Sequence, residues 1–396
     1  VFPRTSEKPP LQSSTESPPG DPVPNRWPIV EICFPETARS RIYGLRQNQS
    51  FTNTMIRDAR VLRAGFVPRE VEHRDAEVNH LSSVLEPITN GEPADTAIVT
   101  GPSGTGKTCI SKFVTERLRE EVLDVEAIYV NCWRNYTRFR TLYQILDDLG
   151  ATIDIHRQST PHDELVDRLQ QHDGPRTVVI LDEVDQLEDP SVIYDLHSLP
   201  QFAIICIANK EEELFSRVDD RLVSRLRSSE HVRMDKYHDE QLYDILSARA
   251  KWGLDENVIT DDQLYRIADA AAGDARLAIG ILRTAAGKAD RENHEHITDD
   301  ILLNAAEDAR AQIKQKSLDS LTPHQRVVYD IVREHGPVGP SEIHERYSEA
   351  VDDPRTKRTI RTYLSKMEQY NLLEAEGTSR DREYSLVDSS AASPMQ

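Results

Sequence analysis

The chain has 396 residues, of which 38% are hydrophobic and 29% charged; at roughly 100 to 200 residues per domain this makes two or three domains and excludes a disulfide-stapled miniprotein. Asp and Glu number 68 against 48 Lys and Arg, and the net charge of −20 repels a polyanion over most of the surface and matches the proteins of a salt-loving, halophilic cell. The four cysteines, Cys33, Cys109, Cys132 and Cys206, form no C-x-x-C pair, which argues against a disulfide framework and a tetrahedral zinc site and favours a reducing cytosol.

Residues 1–26 mix Pro and Ser with few large apolar side chains and cannot bury enough surface to offset their ordering entropy. The expectation for the whole stretch 1–54 is a disordered extension, either a regulatory tail or sequence upstream of a true start at Met55. No run approaches the ~18 apolar residues of a membrane span, and the start lacks the apolar core of a signal peptide. A soluble, cytoplasmic protein with no membrane partner is expected.

From residue 75 the pattern alternates helical periodicity with short apolar runs. A helix through Val78, Leu81, Val84 and Leu85 precedes a strand at 96–100, a Gly-rich turn and a helix from Lys107 to about 122. Strand 127–131, helices 141–149 and 163–172, and strands 177–182 and 201–209 follow. Strands alternating with helices imply α/β architecture, a parallel sheet covered on both faces. From about 238 only helices are read, at 239–252, 261–272, 274–288 and 298–315, which make a separate helical unit. A third unit begins near Leu318: Thr322 caps a helix whose first residue is Pro323. Helices at 323–335, 341–349 and 356–370, then a strand-turn-strand in 372–387, give the order of an α+β winged helix-turn-helix. The expected boundaries are 55–235 for the α/β core, 236–316 for the helical unit, 317–388 for the winged helix and 389–396 for a loose tail.

The turn after the first strand reads Gly101-Pro102-Ser103-Gly104-Thr105-Gly106-Lys107-Thr108, a G-x-x-x-x-G-K-T between a strand and a helix. Such a loop wraps phosphate oxygens with backbone N–H groups, Lys107 reaches the β and γ phosphates, and Thr108 ligates Mg²⁺. The strand at 177–182 ends in Asp182 and Glu183. Asp182 is assigned to Mg²⁺ and Glu183 to polarising the attacking water, which together define an ATPase core using ATP and releasing ADP. Asn209, at the end of the next strand, is placed to orient that water or sense the γ-phosphate; the same residue also suits an ordinary turn. Arg221, Arg225 and Arg227 lie where a neighbouring subunit's nucleotide could meet an arginine finger, or form a solvated basic face. Asp274 caps a helix whose first turn holds Arg276, a position disfavoured for a cation unless it has an anionic partner.

The last helix carries Arg355, Lys357, Arg358, Arg361 and Lys366 with no acidic residue between 355 and 366. Ile360, Leu364 and Met367 form its core face, so the basic residues suit a recognition helix in a major groove. Arg380 and Arg382 would lie on the wing. The competing reading is a winged fold used for protein contacts. The stretch 132–140, with Trp133, Arg134, Arg138 and Arg140, either meets nucleic acid or packs the start of the next helix.

Taken in order, IRDARVL, FVPREVEHRDAEV, GPSGTGKT, ILDEVDQL, the box containing SRL, YHDEQLYDILSARA, AAGDARLAIGILR and the winged helix resemble the archaeal origin-recognition and cell-division-control type of replication initiators. The resemblance runs from about Met55 to about Val387. It implies an AAA+ P-loop ATPase with a helical lid and a DNA-reading winged helix, which binds double-stranded origin DNA, alone or beside other initiator copies, and helps recruit the replicative MCM helicase. It also implies nucleotide-pocket roles for Tyr237 and Arg249, places His73 and Arg74 beside the base, and favours Arg225 as the finger. The rivals are an ATP-gated transcription regulator and a clamp-loader-like subunit.

Overall fold

The computed structural model describes residues 54–387 except 154, 157–159, 217, 219 and 378–381. The expectations for 1–53, for the tail and for Arg380 therefore lie outside the described residues.

The core is a five-stranded parallel sheet in the order β2-β3-β4-β1-β5, formed by β1 (Ala97–Thr100), β2 (Val125–Asn131), β3 (Arg176–Asp182), β4 (Phe202–Ala208) and β5 (Glu230–Arg233). Alternation along each strand feeds two separate cores. Val179 and Leu181 of β3 join Ile204 and Cys206 of β4 on one face, while Val178 and Ile180 join Ile205 and Ile207 on the other. Burial on both faces accounts for the unbroken apolar runs. β5 was not legible: of its four residues only Val232 is buried, so the segment lacks the apolar run that marks the other strands.

Helices α1 (Asp75–Leu85) and α2 (Lys107–Glu121) cover one face, and α3 (Arg138–Asp148), α4 (His162–Gln170) and α5 (Ser191–His197) the other. Short helices α6 (Glu211–Phe215) and α7 (Asp220–Arg227) link β4 to β5. The strand register places Asn131 beside Asp182, Asp182 beside Ile207, and Thr100 beside Ala208. The carboxyl ends of four strands thus form one edge, where open α/β sheets place their ligands.

The lid consists of α8 (Asp239–Gly253), α9 (Asp261–Ala271), α10 (Ala275–Arg291) and α11 (Asp299–Asp319), packed around an Ala-rich core. Met55 and Leu62 belong to that core, and the amides of Arg57 and Asp58 donate to the carbonyl of Gly253. The segment expected to open the nucleotide-binding core therefore packs on the lid. Its few apolar residues carry no periodicity that would name their partner.

The winged unit comprises α12 (Pro323–His335), α13 (Pro340–Ala350), α14 (Lys357–Gln369), β6 (Leu373–Glu376) and β7 (Glu383–Leu386), with β6 and β7 antiparallel. Thr322 and Gln325 form a reciprocal cap at the start of α12. Ile360, Leu364 and Met367 of α14 are buried in this unit's core, as their spacing predicts.

Candidate nucleotide site and winged-helix interface

One cavity at the carboxyl edge of the sheet is lined by the 103–109 loop together with Asp182, Glu183, Asn209, Arg276 and Tyr370. The loop's backbone turns on glycines: Gly104 has φ 79° and Gly106 φ 95°. A Cβ on Gly104 would lie 2.0 Å from Asp274 Oδ1, and one on Gly106 2.9 Å from Tyr237 Oη. Gly104→Ala is expected to cost about 1 to 3 kcal/mol for the left-handed backbone, before the clash is counted; a melting experiment with and without nucleotide checks it.

The buried Lys107 ammonium donates to the carbonyls of Gly101 at 2.6 Å and Pro102 at 2.8 Å and to Asn209 Oδ1 at 3.1 Å. Burial pushes Lys107 down to about 8, and the nearby Asp182 carboxylate opposes that shift. Thr108 Oγ1 donates to Asp182 Oδ2 at 2.8 Å, and the Tyr129 hydroxyl meets the same oxygen at 2.8 Å. The Tyr129 hydroxyl is pushed up by burial and by the Asp182 charge. Thr108 and Asp182 are thus adjacent oxygen donors beside a glycine cradle and an ammonium, a set that fits a polyphosphate with a magnesium ion.

Glu183 follows β3 with φ 61°, a left-handed conformation unusual for a long side chain. Its Oε1 accepts a 2.6 Å hydrogen bond from Tyr370 of the winged unit, while Oε2 is buried without a hydrogen-bond partner among the described residues. Burial raises the pKa of this carboxyl, and the bond from Tyr370 opposes that.

Arg276 enters the cavity from the first turn of α10, whose cap is the Asp274 side chain accepting from Leu277 N at 3.0 Å. The lid is bonded directly to the loop, Ala275 N donating to Gly104 O at 3.1 Å. Tyr237, two residues before α8, lines the cavity with one face of its ring covered by Arg74 at 4.2 Å.

Two expectations are corrected here. Neither His73 nor Arg74 lines the cavity; Pro68, Glu70, Val71 and Glu72 of the same segment do. A buried guanidinium needs acceptors, and Arg74 takes Glu77 at 2.7 Å and Asp235 O at 2.6 Å, while His73 pairs with Asp244. Arg249 does line the cavity, but its guanidinium donates to Val61 O at 2.7 Å and Phe66 O at 3.1 Å, fastening the 61–66 segment to the lid. Arg221 and Arg225 are exposed on α7 outside this cavity, with Arg225 4.6 Å above the Tyr194 ring.

The basic helix divides along its length. Lys357, Arg358 and Arg361 are exposed, and Arg358 donates to Ser216 O at 2.9 Å. Lys366, expected on the DNA face, is instead 3% exposed, its ammonium 3.6 Å from the centre of the Trp133 ring. Arg355 pairs with Glu188 at 3.2 Å and the wing's Arg382 with Glu368 at 2.6 Å. In the 132–140 stretch, Arg138 is bound by Asp195 at 2.7 and 3.0 Å, and Trp133 is buried beneath Lys366 and Tyr370. This stretch packs the protein and forms a platform for the winged unit; Arg134 and Arg140 stay exposed. Tyr370 was not singled out from the sequence, because nothing local marks the residue ending α14 as a partner of a strand end nearly two hundred positions earlier.

Comparison with known proteins follows the same division. Residues 92–218 match the family described as AAA domain, 243–313 the Cdc6 AAA+ ATPase-type lid domain, and 321–393 the penicillinase repressor family. The chain is 87% identical over 344 residues to ORC1-type DNA replication protein 9 of Halobacterium salinarum, spanning 87% of this chain and 97% of that protein. It is 52% identical over 307 residues to ORC1-type DNA replication protein 1 of the same organism, spanning 78% of this chain and all of that protein. The Aeropyrum pernix ORC1 protein, solved in complex with DNA, superposes with a TM-score of 0.66 at 26% identity over 85% of this chain and 94% of that one.

Proposed function

Because the chain belongs to the ORC1-type DNA replication protein family, we infer that it is an ATP-dependent replication initiator that binds double-stranded origin DNA and helps recruit the replicative MCM helicase. ATP and ADP set its two states. The observation that carries this reading is the convergence of Lys107, Thr108, Asp182, Glu183, Asn209 and Arg276 on one cavity that the lid itself helps to line.

Lys107 neutralises phosphate charge, and Thr108 and Asp182 hold Mg²⁺. When bound there, Mg²⁺ would supply positive charge to offset that of the phosphates during phosphoryl transfer. Glu183 takes a proton from the attacking water, Asn209 orients that water through its amide, and ADP and phosphate leave. Arg276 ties the lid to the γ-phosphate, so its loss frees the lid and changes the state offered to a partner. Arg225, exposed on α7, serves a neighbouring copy's nucleotide on DNA as its finger. Tyr237 lies against the nucleotide at the hinge, and Arg249 shapes the wall beside it.

DNA is met by α14 through Lys357, Arg358 and Arg361 and by the wing through Arg380, with Arg355, Lys366 and Arg382 joining once their present partners are exchanged for phosphates. A duplex retention experiment tests the reading: the full chain with ATP and sheared genomic DNA at the organism's internal salt, followed by sequencing of what is kept. Clustered repeats at one or a few loci support origin recognition. Dispersed promoters would favour an ATP-gated transcription regulator, the reading that the likeness of 321–393 to a repressor family supports.

The pair Arg358→Glu and Arg361→Glu removes two exposed cations from α14. Duplex affinity is expected to fall roughly 100-fold, and the slope of log affinity against log salt to flatten by about 2. A salt titration by fluorescence anisotropy checks both; unchanged affinity would assign α14 to protein contacts.

A further inference from the structure

The lower half of α14 packs in part against the ATPase core. Tyr370, the residue that ends it, packs tilted against Trp133 with ring centroids 4.4 Å apart and donates its hydroxyl to Glu183 at 2.6 Å. Gln369 donates to Glu213 at 2.6 Å, and Arg355 and Arg358 reach Glu188 and the Ser216 carbonyl. One strip of the ATPase core therefore holds the helix that carries the DNA-binding candidates, and holds it partly through them. A duplex seated on Arg355, Arg358 and Lys366 and this strip compete for the same side chains. Two ligands that exclude each other on one helix are coupled, and the coupling is reciprocal.

The contact reaches the chemistry at a single atom. A carboxylate that activates water needs an oxygen free to receive the water's proton. In the docked arrangement Glu183 Oε1 is occupied by a phenol, and Oε2, although it has no hydrogen-bond partner among the described residues, is closed off from solvent and so out of reach of a water. The left-handed backbone at Glu183 is a conformation that persists only where surrounding contacts enforce it.

We propose that Tyr370 is a positioning residue for ATP hydrolysis: while α14 is docked, its hydroxyl holds Glu183 away from water activation, and duplex DNA, by drawing α14 off the core, releases it. DNA occupancy then raises turnover, and the docked form stores ATP. This rests on the reading of Glu183 as the water-activating group and of α14 as the DNA-binding helix.

The test uses the full chain and its Tyr370→Phe variant, which keeps the ring on Trp133 and removes only the hydroxyl. Steady-state hydrolysis is measured with and without saturating sonicated genomic duplex, alongside binding of a fluorescent ATP analogue. Expected are a several-fold rise with duplex in the parent chain, a raised basal rate in Tyr370→Phe that duplex barely increases, and equal nucleotide affinity in both. Docking is followed separately by replacing Trp27 and Trp252 with Phe, leaving Trp133 as the sole indole. Duplex should shift its emission to longer wavelength in both chains, which separates movement of the helix from loss of the hydroxyl. A Tyr370→Phe chain with the parent's basal rate and the parent's response to duplex overturns the proposal. So does a parent chain that binds duplex without any change in rate. Failure of the parent to bind nucleotide or duplex overturns the initiator reading and this proposal with it.

Discussion

Glu183→Gln should leave ATP bound and nearly unhydrolysed. The amide keeps the size of the side chain and can still accept from the Tyr370 hydroxyl, so the contact between core and winged unit survives. What disappears is the site that takes the proton. General-base catalysis contributes on the order of 10² to 10⁴ in rate, and the turnover number is expected to fall by that factor with the dissociation constant for ATP within about threefold. Single-turnover hydrolysis together with equilibrium binding separates the two quantities. Turnover equal to that of the parent would remove Glu183 from the chemistry and move attention to Asp185, a buried carboxylate two residues further on.

The second large effect is on binding itself. Lys107→Ala removes an ammonium whose three acceptors are two loop carbonyls and Asn209. The loss has two parts: the phosphates lose their cation, and the loop carbonyls lose the donor that draws them together. Truncating one partner of a buried charged pair costs roughly 2 to 5 kcal/mol, so ATP affinity should fall by about 30-fold to several thousand-fold at neutral pH. Isothermal titration of the variant against ATP and Mg²⁺ checks this, and tight binding would end the assignment of the loop. In the parent chain, burial holds the folded-state pKa of Lys107 near 8, below its ordinary value. The ammonium form is favoured as pH falls below that value and is lost as pH rises through it. Affinity for the anion should therefore decline above about pH 8 in a way that Lys107→Ala does not share, although bound phosphate itself moves the transition upward.

Those residues were legible because each sits in a local pattern. A glycine loop between strand and helix, and two carboxylates at the end of a fully buried strand, can be read within ten residues. The parallel sheet, the helical lid and the winged helix were legible for the same reason, since apolar alternation and helical spacing are properties of short windows. What the sequence concealed is nonlocal. β5 has one buried side chain and borrows its order from β1. Met55 and Leu62 pack in the lid, across a separation of about two hundred residues. Arg74 reads as a ligand-facing cation because sequence gives charge without direction, and in the fold Glu77 claims it; nor does sequence reveal that Lys366 lies over the Trp133 ring while α14 is docked. The Tyr370–Glu183 bond joins residues of two domains, and no periodicity in either segment encodes the other.

The bond from Ala275 N to Gly104 O joins the lid to the phosphate loop through main-chain atoms alone. Substitution can erase Arg276, Tyr237 or Asp274, but every residue other than proline at position 275 supplies the same amide. Descendants of this sequence are thus free to diversify the lid's exterior, and to lose individual pocket residues as copies specialise, without severing the mechanical seam between lid and loop. Divergence would then silence the chemistry before it unfastened the architecture.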